Sequence, residues 1–319
     1  MESPQNIKKR QKSVANINKI TKAMEMVAAT KMRRAQEIAL ASRPYSFMAL
    51  ELLATLSVFE KPLKKEMSAL FETRKPIKKV LFILVSSDKG LAGVFNSAVF
   101  KKFESHLLKE KEEWKKEEHL YVAIGEKAYA YLIKKGFRVI KKFTRVGDYT
   151  TPEQIKPIVD FIVNGYKNKD WDRVIVISTH FKSALKQEPH VRRILPISFD
   201  HVTDTVREIL PERGKFAELI KENEISFIPD KSKIKEYLIE PSPQKVLSKL
   251  AEHLFFIQFY HLILETNASE HSARRMAMKT ASDNASELGE KLSLQYNKSR
   301  QALITKEISE ITAGVEALQ

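Results

Sequence analysis

The stretch best suited to chemistry is Ser86-Ser87-Asp88-Lys89-Gly90-Leu91-Ala92-Gly93-Val94-Phe95-Asn96, where hydroxyls, a carboxylate, an amine and two glycines stand close together. It follows the apolar run 80–85 and precedes a helical pattern. That is the strand-to-helix turn at which doubly wound folds cradle phosphates. Its residue order fits no phosphate loop: no Lys-Ser or Lys-Thr follows the second glycine, and there is no GxGxxG. A tight turn whose glycines supply positive φ is the preferred reading. The histidines are strung out, with His180, His190 and His201 in one series and His253, His261 and His271 in another. Ligands sharing one helical face would stand three or four residues apart. No HExxH occurs, no Ser–His–Asp grouping stands out, and Asn267-Ala268-Ser269 matches a glycosylation acceptor only formally, inside a helical pattern. The absence of cysteine excludes disulfides, zinc fingers and thiol chemistry. The expectation is a chain with no catalytic residue, no cofactor and no metal.

The elements around this turn are unevenly punctuated. The first glycine is Gly90, and only Pro44 falls between Pro4 and Pro62; after Pro243 there is no proline, and only Gly289 and Gly314 remain. Helix interiors exclude both residue types, so the two ends read as very long helices. Residues Ile7, Val14, Ile17, Ile20, Met24, Val27, Ala28, Ala35 and Ile38 recur as an apolar stripe. A helix over residues 3–59 would be roughly 85 Å long, with Pro44 as a candidate kink. The second helix starts near Glu240-Pro241-Ser242-Pro243, since proline suits a first turn. Its face passes from bulky (Leu247, Leu250, Leu254, Phe255, Phe259, Leu262) to small (Ala268, Ser269, Ser272, Ala273, Ala277, Ala281, Ser282, Ala285). Two such helices at opposite ends of a chain predict an intramolecular antiparallel coiled coil, with the region 24–35 as the partner of the small face.

Between the ends, strand patterns at 80–85, 120–124, 137–143 and 174–177 alternate with helical ones at 96–113, 126–135 and 152–166. Alternation of this kind predicts a doubly wound, mostly parallel α/β sheet. The expected organisation is an N-terminal coiled-coil helix over 1–60, an α/β domain over 76–240 and a C-terminal coiled-coil helix over 241–319. Residues 201–235 read as a polar excursion.

The net charge is +15, and 43% of residues are hydrophobic, enough for a core. Residues 1–43 hold ten cationic side chains against Glu2, Glu25 and Glu37, a net of +7. Such a helix favours an acidic partner, or else presents a solvated face. No apolar run approaches the ~18 residues of a membrane span, and the first residues lack a signal-peptide pattern, which leads us to expect an intracellular protein. Nucleic-acid binding by the basic helix is the alternative reading, but residues 1–44 contain no aromatic for stacking.

Several motifs resemble one family. Ile7-Lys8-Lys9-Arg10, Ser13-Val14, Lys19-Ile20-Thr21-Lys22-Ala23-Met24-Glu25-Met26-Val27-Ala28-Ala29-Thr30-Lys31-Met32 and Ala41-Ser42-Arg43-Pro44-Tyr45 look like the start of the gamma subunit of F-type ATP synthases. Asn267-Ala268-Ser269-Glu270-His271-Ser272-Ala273-Arg274 and the run from Tyr296 to Ile311 followed by Gly314 are similar to its C-terminal signatures, and the turn 86–96 to a third motif. Ala92 and Val94 replace the family's usual cysteine and glycine in that turn, and Val315 its usual alanine. The resemblance implies a non-catalytic rotor. Its coiled coil would stand inside the hexamer of alpha and beta subunits, and its α/β foot would rest on the membrane c ring beside epsilon. The whole would be a peripheral part of the complex on the cytoplasmic side of a bacterial inner membrane. By matching position, Lys22, Met24, Lys31, Arg33 and Arg34 would face acidic loops of beta. Arg300, Gln301 and Thr305 would meet the beta catch loop, and Tyr237 and Glu240 the c-ring loops.

Overall fold

The computed structural model describes residues 3–58, 69–109, 117–147, 150–197, 240 and 243–316. Its elements are α1 (Pro4–Val58), β1 (Lys79–Val85), α2 (Phe95–Lys109), β2 (Glu118–Ile124), α3 (Glu126–Lys134), β3 (Val139–Phe143), α4 (Pro152–Lys167), β4 (Arg173–Phe181), β5 (Gln187–Leu195) and α5 (Pro243–Glu316). Among the expectations drawn from the sequence, Tyr237 and the excursion 201–235 lie outside the described residues, as does the end of the helix expected to reach residue 113. By contacts the chain forms two compact units, Met1–Thr30 with Arg274–Gln319, and Lys31–Ala273.

In the Lys31–Ala273 unit the strands form one sheet in the order β3-β2-β1-β4-β5. The first four are parallel and β5 is antiparallel to β4. β1 is apolar from Val80 to Val85 because it is central and covered on both faces. Leu81, Ile83 and Val85 pack with α4 and with Leu254, Phe255 and Leu262 of α5, while Val80, Phe82 and Leu84 pack with Val99 and Phe103 of α2 and Leu132 of α3. Each fully buried side chain of this size contributes about 1.5–3 kcal/mol.

β5 was not legible in the sequence. Gln187-Glu188-Pro189-His190-Val191-Arg192-Arg193 shows no alternation, and Pro189 argues against a strand. The strand forms because it lies at the sheet's edge, where a proline costs no ladder bond on its outer side.

α4 opens on Pro152, with the Thr151 amide donating to Gln154 Oε1 at 3.3 Å, an ordinary capping arrangement. Its Gly165 lies directly beneath the Trp171 indole, whose Nε1 donates to the Ile162 carbonyl at 3.1 Å. Any Cβ at residue 165 would overlap that ring. Gly165→Ala should therefore lower the free energy of unfolding by about 1–3 kcal/mol, read from a denaturant melt. An unchanged midpoint would show that the ring swings aside freely.

In the other unit α1 and α5 run antiparallel. Ser282 Oγ donates to Asn18 Oδ1 at 2.6 Å, and Val14 lies against Gly289, so numbering rises along one helix as it falls along the other. The inward positions of α1 are Ile7, Gln11, Val14, Asn18, Thr21, Glu25 and Ala28, each buried or half-buried. Their spacing alternates four and three, a heptad seam. This corrects the apolar stripe: Ile17, Ile20 and Val27 are 51%, 59% and 54% exposed. The seam follows register, and polar residues hold several of its places. α1 continues through Pro44, so that proline does not end it.

Candidate partner-binding surface

The turn after β1 is held by its own side chains. Ser86 Oγ accepts the Ala128 amide at 2.6 Å, and Asn96 Nδ2 donates to Ser87 Oγ at 2.7 Å. Asp88 accepts two amides, from Glu126 at 3.1 Å and Arg145 at 2.8 Å. A carboxylate thus sits at the N-terminus of α3, the kind of place where a phosphate would otherwise be attracted. Positive φ falls at Leu91 (63°) and Gly93 (56°), while Gly90 does not need it, which revises the expected role of the first glycine. Across the turn, Gly125 at φ 95° presses against the Ser86 carbonyl, where a Cβ would collide. The arrangement is a braced turn.

A buried charged cluster lies elsewhere in the same unit and was missed in the sequence. Glu265 of α5 is 3.1 Å from His180 Nδ1 on β4, 3.4 Å from His261 Nε2 one turn earlier and 3.5 Å from the Arg192 guanidinium on β5. Burial alone would push the carboxyl up. The hydrogen bonds from His180 and His261, with the Arg192 charge, overcome this and hold it well below the usual carboxylate range. Among the described residues no group of His, Asp or Glu is arranged to hold a metal ion. In this cluster the carboxylate is met by one guanidinium and two imidazoles.

The residues expected to meet partners lie mostly at the surface. Lys22, Arg33, Arg34 and Glu240 are exposed, and Met24 and Lys31 are half-buried. Arg34 lies 3.6 Å from Glu37, an exposed pair on one helix face. Residues 300–313 of α5 are exposed throughout, including Arg300, Gln301 and Thr305, and Thr305 Oγ1 donates to the Gln301 carbonyl at 2.9 Å. Along this stretch Ile304, Ile308 and Ile311 stand at i, i+4 and i+7, a bare apolar ridge. Ile17, Ile20, Met26 and Val27 expose a second apolar set on α1, of which the expected stripe had placed Ile17, Ile20 and Val27 inward.

A family model described as ATP synthase matches residues 3–318. The ATP synthase gamma chain of Roseiflexus castenholzii is 36% identical over 318 residues, covering 100% of this chain and 99% of that one. The chain belongs to the ATP synthase gamma-chain family. The gamma chain of Symbiobacterium thermophilum is 35% identical over 319 residues, covering 100% of this chain and 99% of that one. Among solved structures, a chain of the Euglena gracilis mitochondrial ATP synthase (OSCP, F1 and c-ring) aligns with TM-score 0.59 at 15% identity, covering 99% of this chain and 94% of that one. A chain of the Tetrahymena thermophila central stalk and c-ring aligns with TM-score 0.57 at 22% identity, covering 82% of this chain and 99% of that one. These likenesses extend to the fold, a parallel-dominated sheet with long terminal helices.

As a gamma chain the protein is a non-catalytic member of the ATP synthase, a membrane-associated complex. Among the described residues no helix is long and apolar enough to cross a membrane. The braced turn is a structural feature of the gamma chain, and nothing in fold or family supports the nucleic-acid alternative.

Proposed function

We propose that the chain is the rotating central stalk that couples proton-driven turning of a membrane c ring to ATP synthesis and hydrolysis at the beta subunits. Residues 1–60 and 241–319 form the shaft and residues 76–240 the foot. The observation that carries this reading furthest is the bare ridge Ile304, Ile308 and Ile311 beside Arg300, Gln301 and Thr305, at the end of a long helix in a gamma chain. An apolar ridge of this kind calls for a surrounding partner, and a hexamer of alpha and beta subunits supplies one. Lys22, Met24, Lys31, Arg33 and Arg34 face acidic loops of beta, while Tyr237 and Glu240 touch the c ring beside epsilon. The complex sits with this chain on the cytoplasmic face of a bacterial inner membrane.

Mechanically, the shaft is a ligand with different affinity for each beta conformation, carried from one to the next by rotation. Exposed ion pairs are worth about 0–1 kcal/mol each, so contacts can be made and released in every turn. Co-purification tests the assembly: one copy of this chain should accompany three alpha and three beta subunits, and its absence from that complex sinks the reading. Arg300→Ala should reduce coupled ATP turnover of the reassembled complex about five-fold, as for a central interface arginine. Full coupling in that variant would remove Arg300 from the contact set.

A further inference from the structure

Residues 261–272 of α5 are buried at every position, so this part of the helix has no wet side. Yet His261, Glu265, Thr266, Asn267, Ser269, Glu270, His271 and Ser272 are polar. An apolar helix surface would bury itself more cheaply, because each of these groups requires a partner once it leaves water. The partners come from two separate parts of the α/β unit, the β4–β5 hairpin and the segment after β3. β4 and β5 supply His180 and Arg192 to Glu265 at 3.1 and 3.5 Å. The segment after β3 receives Asn267 Nδ2 on the Val146 carbonyl at 3.0 Å and on Thr150 Oγ1 at 2.6 Å, and His271 Nε2 on the Gly147 carbonyl at 3.0 Å. The β4–β5 hairpin accepts Ser272 Oγ on the Ala184 carbonyl at 2.7 Å.

Apolar packing is non-directional and opposes separation more than it opposes twist or slip. Hydrogen bonds have narrow distance and angle limits, so bonds that hold Glu265 and Ser272 on one side of the helix and Asn267 and His271 on the other oppose its rotation about its own axis. Shielded from water, they are not exchanged for solvent partners under load. We propose that this polar collar is a keyed joint that carries torque between the α/β domain and α5, with Asn267, His271, Ser272 and Glu265 as its positioning residues. The inference rests on the rotor reading above.

The double variant Asn267→Leu with Ser272→Ala tests it in the complete ATP synthase. The Val146 and Ala184 carbonyls each keep a second donor, from Thr150 Oγ1 at 2.6 Å and Gln187 Nε2 at 3.0 Å, and Thr150 Oγ1, which loses the Asn267 amide, still donates its own bond. The domain should therefore fold and assemble. The complex is reconstituted in phosphatidylcholine vesicles, and proton-driven ATP synthesis is compared with ATP hydrolysis by the detached soluble part. At equal occupancy and an equal unfolding midpoint, hydrolysis should stay within about two-fold, while synthesis falls about five-fold, in line with the loss of directional bonds at two positions. Thermal fluctuation of the rotor angle in single complexes should widen in parallel. An unchanged ratio of synthesis to hydrolysis overturns the joint, as does a parallel fall in both that tracks a lowered midpoint. Wild-type complex run alongside separates the two readings. If it lacks this chain or makes no ATP, the rotor assignment itself fails; if it works and the variant matches it, only the joint does.

Discussion

Glu265→Ala should lower the free energy of unfolding by about 3–5 kcal/mol, the range for removing one partner of a buried charge group. The carboxylate is the acceptor on which His180, His261 and Arg192 converge. Its removal leaves a guanidinium and two imidazoles crowded where little water reaches. Glu265→Gln should cost less, because an amide oxygen still accepts one bond. The two variants should also separate under acid. A carboxyl held below its unfolded value of about 4.3 adds stability that is fully present above that pH and fades as pH falls through the folded value. Wild-type protein should thus lose stability below about pH 4.3 more steeply than Glu265→Gln. Chemical denaturation at a series of pH values checks both points, and identical slopes would mean that the cluster contributes nothing through charge.

The second large effect is expected from ending the chain after Arg300. The removed stretch is exposed along its described length and carries Leu303, Ile304, Ile308 and Ile311. Among the described residues none of the buried core lies in it, so the α/β domain should fold with an unchanged melting profile. Its partners in the complex should register the loss strongly. Four apolar side chains withdrawn from a closed interface represent roughly 4 kcal/mol or more, about a thousand-fold in affinity. Yield of the assembled complex at matched subunit concentrations measures it. A truncated chain that assembles as well as the full one would show that the ridge stays wet in the complex.

Much of the sheet was legible because its signal is local. Residues 80–85 and 174–177 are unbroken apolar runs, and each fell inside a central parallel strand. β5 hid because its edge position, which makes Pro189 and the arginines tolerable, is a fact about neighbours and not about its own residues. The seam of α1 was misread for a different reason. Counting apolar residues drew in Ile17, Ile20 and Val27, whereas a heptad frame through Ile7, Val14 and Ala28 puts Asn18, Thr21 and Glu25 inside. Glu265 drew no notice in the sequence, Asn267 only as a formal glycosylation acceptor and part of a family motif, and His271 only as one of three widely spaced histidines and part of that motif. Their partners on β4, β5 and the segment after β3 lie 73 to 124 residues away in the chain, and no pattern within a helix can announce such contacts. The proposed contacts at Arg300, Gln301 and Thr305 came from family resemblance, since an exposed side chain carries no internal mark of what it will touch.

The Asn18–Ser282 bond in the seam has one more effect. If one helix advanced by a heptad, Asn18 would stand opposite Gly289, which has no side chain to offer, while Ser282 would exchange Asn18 for Glu25. Leaving the Asn18 amide unmatched costs about 1–3 kcal/mol, so the bond works as an index pin between the two helices. How far the bare end of α5 overhangs the start of α1 is therefore a calibrated length, set by a single amide and a single hydroxyl.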